Sequence, residues 1–367
     1  MYSTYPPEPR WMRVTGWRPS RLWHALTTSV LIACCLPIVV ACNASAQAVD
    51  RGRFTIIEEN DFLQPLGTDR HYTQGAMLSY LSPLLDSSGV ASHFYDPLGS
   101  LLPIFQPGLG VRRKFDVVAG QSIFTPQQYH RFPLDPKDRP FAGWLYTGGS
   151  LLQETGGTML ENFEVLAGVV GPDSLADITQ QSFHKLINFY NPELAQTWKT
   201  QLSNEPGLVL TYERKWRLWQ STLFGMETEV IPEAGITAGN IFTYADGGAT
   251  FRIGRDLGVD YGPARVRPSI SGTHWFDADR LTQPWGWYVF GGVQGRAFAR
   301  NIFLDGNTFT DSRSVDKNIL VGSVTLGGSV FYKDTFKIDL TFTETSKEFK
   351  TQATPDRFGA LSVSFKY

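Results

Sequence analysis

Between Glu59 and Gly75 the chain gathers an unusual set of side chains into one hairpin. It reads Glu59-Asn60-Asp61, a spacer, then Thr68-Asp69-Arg70-His71-Tyr72-Thr73-Gln74-Gly75. The flanks, Phe54 to Glu58 and Ala76 to Leu81, alternate as strands do. Asn, Asp and Gly are ordinary turn formers, yet this tip also holds an Arg, a His and two Thr. A second group follows Gly171-Pro172-Asp173-Ser174, where residues 175–189 read as a helix that Asp173 or Ser174 can cap. Leu175, Ile178, Ser182, Leu186 and Phe189 give that helix a partly apolar face. Gln180 and His184 are four apart and share another face, where Gln180 can fix the imidazole ring. A neutral imidazole is the default general base. If the fold brings Asn60, Asp61 and Thr73 to it, such a base can activate a water. The chain holds no Gly-x-Ser-x-Gly elbow for a serine nucleophile.

These residues need a scaffold that brings distant segments together. The 367 residues are 42% hydrophobic and 13% aromatic with 35 Gly, and the formal charge of -2 gives no ground for a nucleic-acid partner. All three cysteines, Cys34, Cys35 and Cys42, lie early, so neither disulfides nor thiolate metal sites support the remainder. Arg10, Arg13, Arg18 and Arg21 precede an apolar run from Ala25 to Cys42 and then Ala46-Gln47-Ala48. That is the pattern of a signal peptide, residues 1–48, cleaved after Ala48. A lipidated Cys42, a retained helical anchor that Pro37 disfavours, and a start at Met12 are the alternatives.

From residue 49 on, the chain reads as an all-β, antiparallel transmembrane β-barrel, one domain over 49–367, with a short helix in an extracellular loop. About a dozen stretches alternate with period two. They lie near 53–60, 72–83, 110–123, 142–155, 158–170, 206–218, 221–231, 244–254, 285–299, 315–331, 335–349 and 357–367. In the last, Leu361, Val363, Phe365 and Tyr367 share one face and Ala360, Ser362, Ser364 and Lys366 the other. Glu227, Glu229, Lys337 and Asp339 are expected in the lumen, because a charge on the lipid face costs up to ~2–4 kcal/mol. An even strand count places the loops 61–71, 124–141 and 171–205 at one outer mouth. Short inner turns are expected at Gly156-Gly157, Trp219-Gln220 and Tyr332-Lys333-Asp334, and residues 232–243 as a cap or filling. Strand counting thus brings Asn60, Asp61, Thr73 and His184 to one mouth.

The chain resembles the lipid A 3'-O-deacylase family of Gram-negative outer-membrane enzymes (LpxR type). The resemblance covers the mature chain. It rests on Glu59-Asn60-Asp61, on Thr68-Asp69-Arg70 with Tyr72-Thr73 and Gly75, and on Gly171-Pro172 with Gln180 and His184. Gly239-Asn240 ahead of Tyr244 and the carboxy-terminal strands add to it. It implies a twelve-stranded outer-membrane barrel, read as a monomer. It also implies removal of the 3'-linked acyloxyacyl chain of lipid A, in lipopolysaccharide, by a His-activated water with calcium. Carried over, His184 is the base, and Asn60, Asp61 and Thr73 line the site. Asn60 and Asp61 supply oxygen ligands for calcium, and Gln180 and Arg131 bind substrate. The family has a Lys where Gln121-Ser122-Ile123-Phe124-Thr125-Pro126 leads here to Arg131, which can hold a phosphate or the oxyanion. Tyr190 stands where the family has an acidic residue six positions after the His. Two rival readings remain open at this level: a non-catalytic barrel or narrow pore, and a barrel esterase or phospholipase with another lipid substrate.

Overall fold

The computed structural model describes residues 52–61, 70–85, 90–128, 132–186, 194–266 and 274–367. The expected signal peptide, Arg131, Phe189 and Tyr190 lie outside these. In chain order the elements begin with β1 (Arg53–Asn60), β2 (His71–Leu81), α1 (Val90–Leu101), β3 (Arg112–Thr125), β4 (Ala142–Thr155) and β5 (Met159–Val170). Then come α2 (Ala176–Leu186), α3 (Leu194–Thr197), β6 (Glu205–Trp216), β7 (Trp219–Leu223), β8 (Met226–Gly239) and β9 (Phe242–Arg255). The last are β10 (Trp285–Asn301), α4 (Ile302–Asp305), β11 (Leu320–Tyr332), β12 (Phe336–Thr345) and β13 (Asp356–Lys366). Each strand runs antiparallel to its neighbours, and the sheet closes on itself through β1–β13 and β6–β8.

β6 and β7 are one wall strand with a bend. Lys215 pairs with Glu233, but Trp219 pairs with Val230, so one extra residue sits on the β6–β7 side. That is a bulge. It faces Pro232, which has no N–H to offer a ladder. The wall therefore has the expected twelve strands.

Two turn expectations are corrected by this. The hairpin turns at Phe224 and Gly225, both at positive φ, and not at Trp219-Gln220. Residues 232–243 are neither cap nor filling, because they continue β8 and start β9. The short inner turns also have long companions, 82–111 and 256–284.

Alternation sorts the wall as polar in, apolar out. Thr55, Ser362 and Ser364 are buried toward the lumen, while Phe54, Val363 and Phe365 face out. Outward rings gather at the end where Gly52 and Tyr367 meet: Phe54 touches Tyr80, Phe365 and Tyr367, and Trp285 touches Tyr332 and Phe336. Such a ring of aromatics marks a membrane boundary. We call this the terminal end and the opposite one the loop end.

The filling of the barrel comes from residues 256–266 and 274–284, which leave β9 at the terminal end and fold back into the lumen. Asp260 pairs with Lys337 at 2.6 Å and with Arg252, which also holds Glu229. His274 meets Asp116 at 2.7 Å, and Lys114 donates to the Phe276 carbonyl at 2.8 Å. Arg265 reaches Glu59 at 2.7 Å, one residue from the end of β1. Charges buried in a lumen must be paired in this way. Glu229, Lys337 and Asp339 are buried in the lumen as expected, and Glu227, on the same face as Glu229 but exposed at the rim, accepts the N–H groups of Asp256 and Leu257. Two cavities of about 20 Å³ adjoin His274, each with room for about one water.

Candidate active site

The segment carrying His184 lies on the outside of the wall. Gly171, at φ 99°, leads into a 3-10 turn Pro172–Ser174, and the Ser174 hydroxyl donates back to the Gly171 carbonyl at 2.6 Å. On β3 the lumenal positions are Asp116, Val118, Ser122 and Phe124, so Gln121, Ile123 and Thr125 point outward. Gln121 donates to the Ser174 carbonyl at 2.6 Å, and Ile123 packs with Ala176, Phe141, Leu194 and Trp198. On β4, Gly143 lies where any Cβ would land inside Ser174 and Ala176. A glycine at that spot lets the helix approach the wall this closely.

The orientation of α2 is inverted relative to an ordinary amphipathic helix. Ala176, Gln180 and His184, spaced four apart, are its buried residues. Leu175, Ile178 and Leu186 are 49%, 57% and 55% exposed and face away from the protein. The stripe that carries Gln180 and His184 faces protein, and Ile178 and Leu186 are left on the exposed side together with Ser182 and Lys185. Trp198 donates its indole N–H to the Gln180 side-chain oxygen at 2.7 Å, which fixes the amide one turn from His184.

The hairpin residues occupy the neighbouring outer wall. Glu59 is lumenal, so Glu58 and Asn60 share the outward parity of Phe54 and Ile56. Asn60 ends β1 opposite Gln74, and both Gln74, at 2.8 Å, and Asn60 hydrogen-bond the Glu58 carboxylate. Thr73 is the extra residue of a bulge between β2 and β3, and its hydroxyl bonds that of Thr125 at 2.7 Å. Asp61 accepts the Arg70 N–H at 2.8 Å, which closes the hairpin loop at its base. Bulges next to active sites commonly re-aim a side chain in this manner.

Asn60, Asp61 and Thr73 therefore sit together on the β1–β2 tips, and Gln180 and His184 on α2. β3 joins the two groups, since Thr125 holds Thr73 while Gln121 and Ile123 hold the start of α2. Arg131 lies outside the described residues. Sequence reading missed Glu58, Gln74, Gln121, Thr125 and Trp198. The hairpin histidine noted in the sequence gives a second imidazole, and its partner is the part that was not foreseen: His71 is fully buried, pairs with Asp356 at 2.5 Å and lies edge-on to Phe349. Among the described residues no three His, Cys, Asp or Glu side chains group to hold a metal ion. Asn60 and Asp61 each offer a side-chain oxygen, the donor type a hard cation such as calcium takes.

Among solved structures the fold is similar to LpxR from Salmonella typhimurium, with a TM-score of 0.66 at 21% identity over 86% of this chain and 100% of that one. It is similar more distantly to the beta domain of the Bordetella autotransporter BrkA, at a TM-score of 0.41, 7% identity and 86% and 98% coverage. An outer membrane channel from Pseudomonas putida F1 gives 0.39, 7%, 90% and 100%. The first likeness carries the fold, and the other two carry no further argument. No curated protein sequence matches the chain. A family model described as outer membrane protein LpxR matches residues 30–367, and the chain belongs to that family of outer-membrane β-barrel proteins.

Proposed function

We propose that the protein is a lipid hydrolase that removes the 3'-linked acyloxyacyl chain of lipid A, with the loop end toward the outer leaflet. The observation that carries this reading is the side of the wall on which the polar residues lie. Glu58, Asn60, Thr73, Gln74, Gln121 and Thr125 occupy outward positions beside a helix whose own polar face is turned to the wall. Polar side chains on a lipid-facing wall must each be given a partner there, so a cluster of them gathered on that side points to a use. A lipid diffusing in the leaflet reaches it sideways and never enters the lumen. The filled lumen in turn counts against the pore reading.

His184 takes a proton from a water as the water oxygen bonds to the ester carbonyl carbon. The resulting oxyanion collapses, the carbon–oxygen bond to the sugar breaks, and His184 returns the proton to the leaving sugar oxygen. The products are a free acid and a sugar hydroxyl. Gln180, held by Trp198, positions the imidazole and the substrate. Thr73 lines the site, and Arg131 is assigned to a lipid phosphate or the oxyanion. Asn60 and Asp61 would hold calcium, which when bound polarises the ester carbonyl as a Lewis acid. A chelator is accordingly expected to abolish most of the activity and added calcium to restore it. Full activity in chelator would leave Asn60 and Asp61 a positioning role alone.

Mass spectrometry of lipid from cells with and without the protein tests the substrate. Loss of one acyloxyacyl unit from lipid A is the expected result. Unchanged lipid A with shortened phospholipid would replace the substrate, and unchanged lipid of both kinds would remove the hydrolase reading.

A further inference from the structure

The same side of the barrel carries a second helix on its outer wall, at the terminal end. Tyr95, Ile104 and Phe105 are buried with Leu151, Phe163 and Tyr212. Those three are outward positions of β4, β5 and β6, in step with the exposed Leu145, Ala167, Leu208 and Leu210. The Tyr95 hydroxyl donates to the Lys114 carbonyl and accepts the Leu152 N–H at 3.0 Å. Lys114 and Leu152 are partners in the β3–β4 ladder, so the phenol is built into the wall. Helix α1 and the segment after it are thus fixed against a surface that otherwise meets lipid.

The polar groups beneath this layer are all engaged. Glu161 accepts from Tyr212 at 2.5 Å, Arg214 at 3.0 Å and the Phe105 N–H at 3.3 Å. Arg214 also donates to the Pro103 carbonyl at 2.6 Å, and Gln153 to the Gln106 carbonyl at 2.9 Å. The far side of the layer exposes large apolar side chains, Phe94 at 57% and Leu101 at 80% with Leu102 beside them, next to the Asp96 side chain at 63%. Asp96 and Ser100 keep the helix from being apolar all round. A short helix of mixed face lying along a membrane-facing wall is the pattern of an in-plane interfacial element.

We propose that α1 lies in the phospholipid leaflet at the terminal end, with Phe94, Leu101 and Leu102 in the glycerol–acyl boundary. Continuity with the lipid-facing wall names the occupant. The apolar side chains extend the belt that β3–β6 present between α1 and α2, and the sealed hydrogen bonds beneath are what lipid contact demands. The protein then grips both leaflets on one face, with α2 at the loop end and α1 at the terminal end. This inference needs only the barrel in a membrane and stands apart from the hydrolysis reading.

Residues 49–367 contain no cysteine, so single sites can be spin-labelled cleanly. The sites are Phe94→Cys, Leu101→Cys, Val293→Cys on the outward face of β10 as a lipid reference, and Asp279→Cys as a water reference, its side chain being 71% exposed. In phosphatidylethanolamine–phosphatidylcholine vesicles, labels at Phe94 and Leu101 should collide with oxygen in preference to a water-soluble nickel complex, as the Val293 label does, at a shallower depth. Nickel-dominated collisions like those at Asp279 would overturn the proposal. So would label–label broadening that persists on dilution with lipid, since a second copy of the chain would then be the occupant.

Discussion

His184→Ala is expected to lower lipid deacylation by about 10²–10⁴-fold, the contribution typical of a positioned base. The barrel should remain folded and heat-modifiable, because His184 lies on a helix outside the wall and no ladder depends on it. His184→Gln keeps the volume of the ring but cannot take the proton, so it should be nearly as poor. Gln180→Ala should cost less, since it frees the Trp198 indole and loosens the ring without removing it. His71 is the competing imidazole, and its pairing with Asp356 has the look of a base with its orienter. It is fully buried, however, with Phe349 against its ring and Asp356 held by Gln352 at 3.0 Å. His71→Ala should therefore act on stability more than on the chemical step. Retention of the full rate in folded His184→Ala protein would move the base to Asp61, His71 or the metal.

The wall was legible because its alternation is local. Leu361, Val363 and Phe365 point to lipid and Ser362 and Ser364 to the lumen, as their spacing predicts. The hydrophobic pattern fixes register as well, since a slip of one residue would exchange the faces. The filling of the lumen was not legible. Residues 256–284 have no periodicity, and their partners Glu59, Asp116 and Lys337 are remote in the chain. The bend at Arg217–Leu218 was hidden for a similar reason: Pro232, which makes it tolerable, is on the opposite strand.

The candidate site was half legible. The hairpin and the Gln180–His184 pair stand out by residue type. The side of the wall on which they lie was encoded too, since Phe54, Ile56, Glu58 and Asn60 share one parity, but a hairpin-tip reading obscures it. The mouth of the barrel was the expected meeting point, whereas the structure sets Asn60 and Thr73 on outward positions of the wall and joins them to the start of α2 through β3. The inverted face of that helix follows from the same shift, because Gln180 and His184 are turned to the wall and Leu175, Ile178 and Leu186 are left exposed. Trp198 gave no signal, since one indole in a long loop has no spacing to read.

Gly143→Ala should lower turnover by about 100-fold with the barrel intact. The added methyl group would lie well inside 3 Å of Ser174 and Ala176, so the start of α2 must move outward by an ångström or more. That start is also pinned by Gln121, whose bond to the Ser174 carbonyl would stretch or break. His184 lies two turns along the same rigid helix and moves with it. A displacement of about 1 Å can cost 10²-fold when reacting groups must align. The strand itself has little reason to object, because the methyl points out of the wall and Ala is a tolerable strand residue. Gly295→Ala is the control, an outward glycine on β10 with nothing within 4 Å of its added Cβ. The loss should fall on kcat, since the wall residues assigned to the site, Asn60 and Thr73, stay where they are. Gly143→Ala protein that is folded and fully active would show that the seating of α2 does not position the base. The link from β3 and β4 through Ser174 to His184 would then have to be given up.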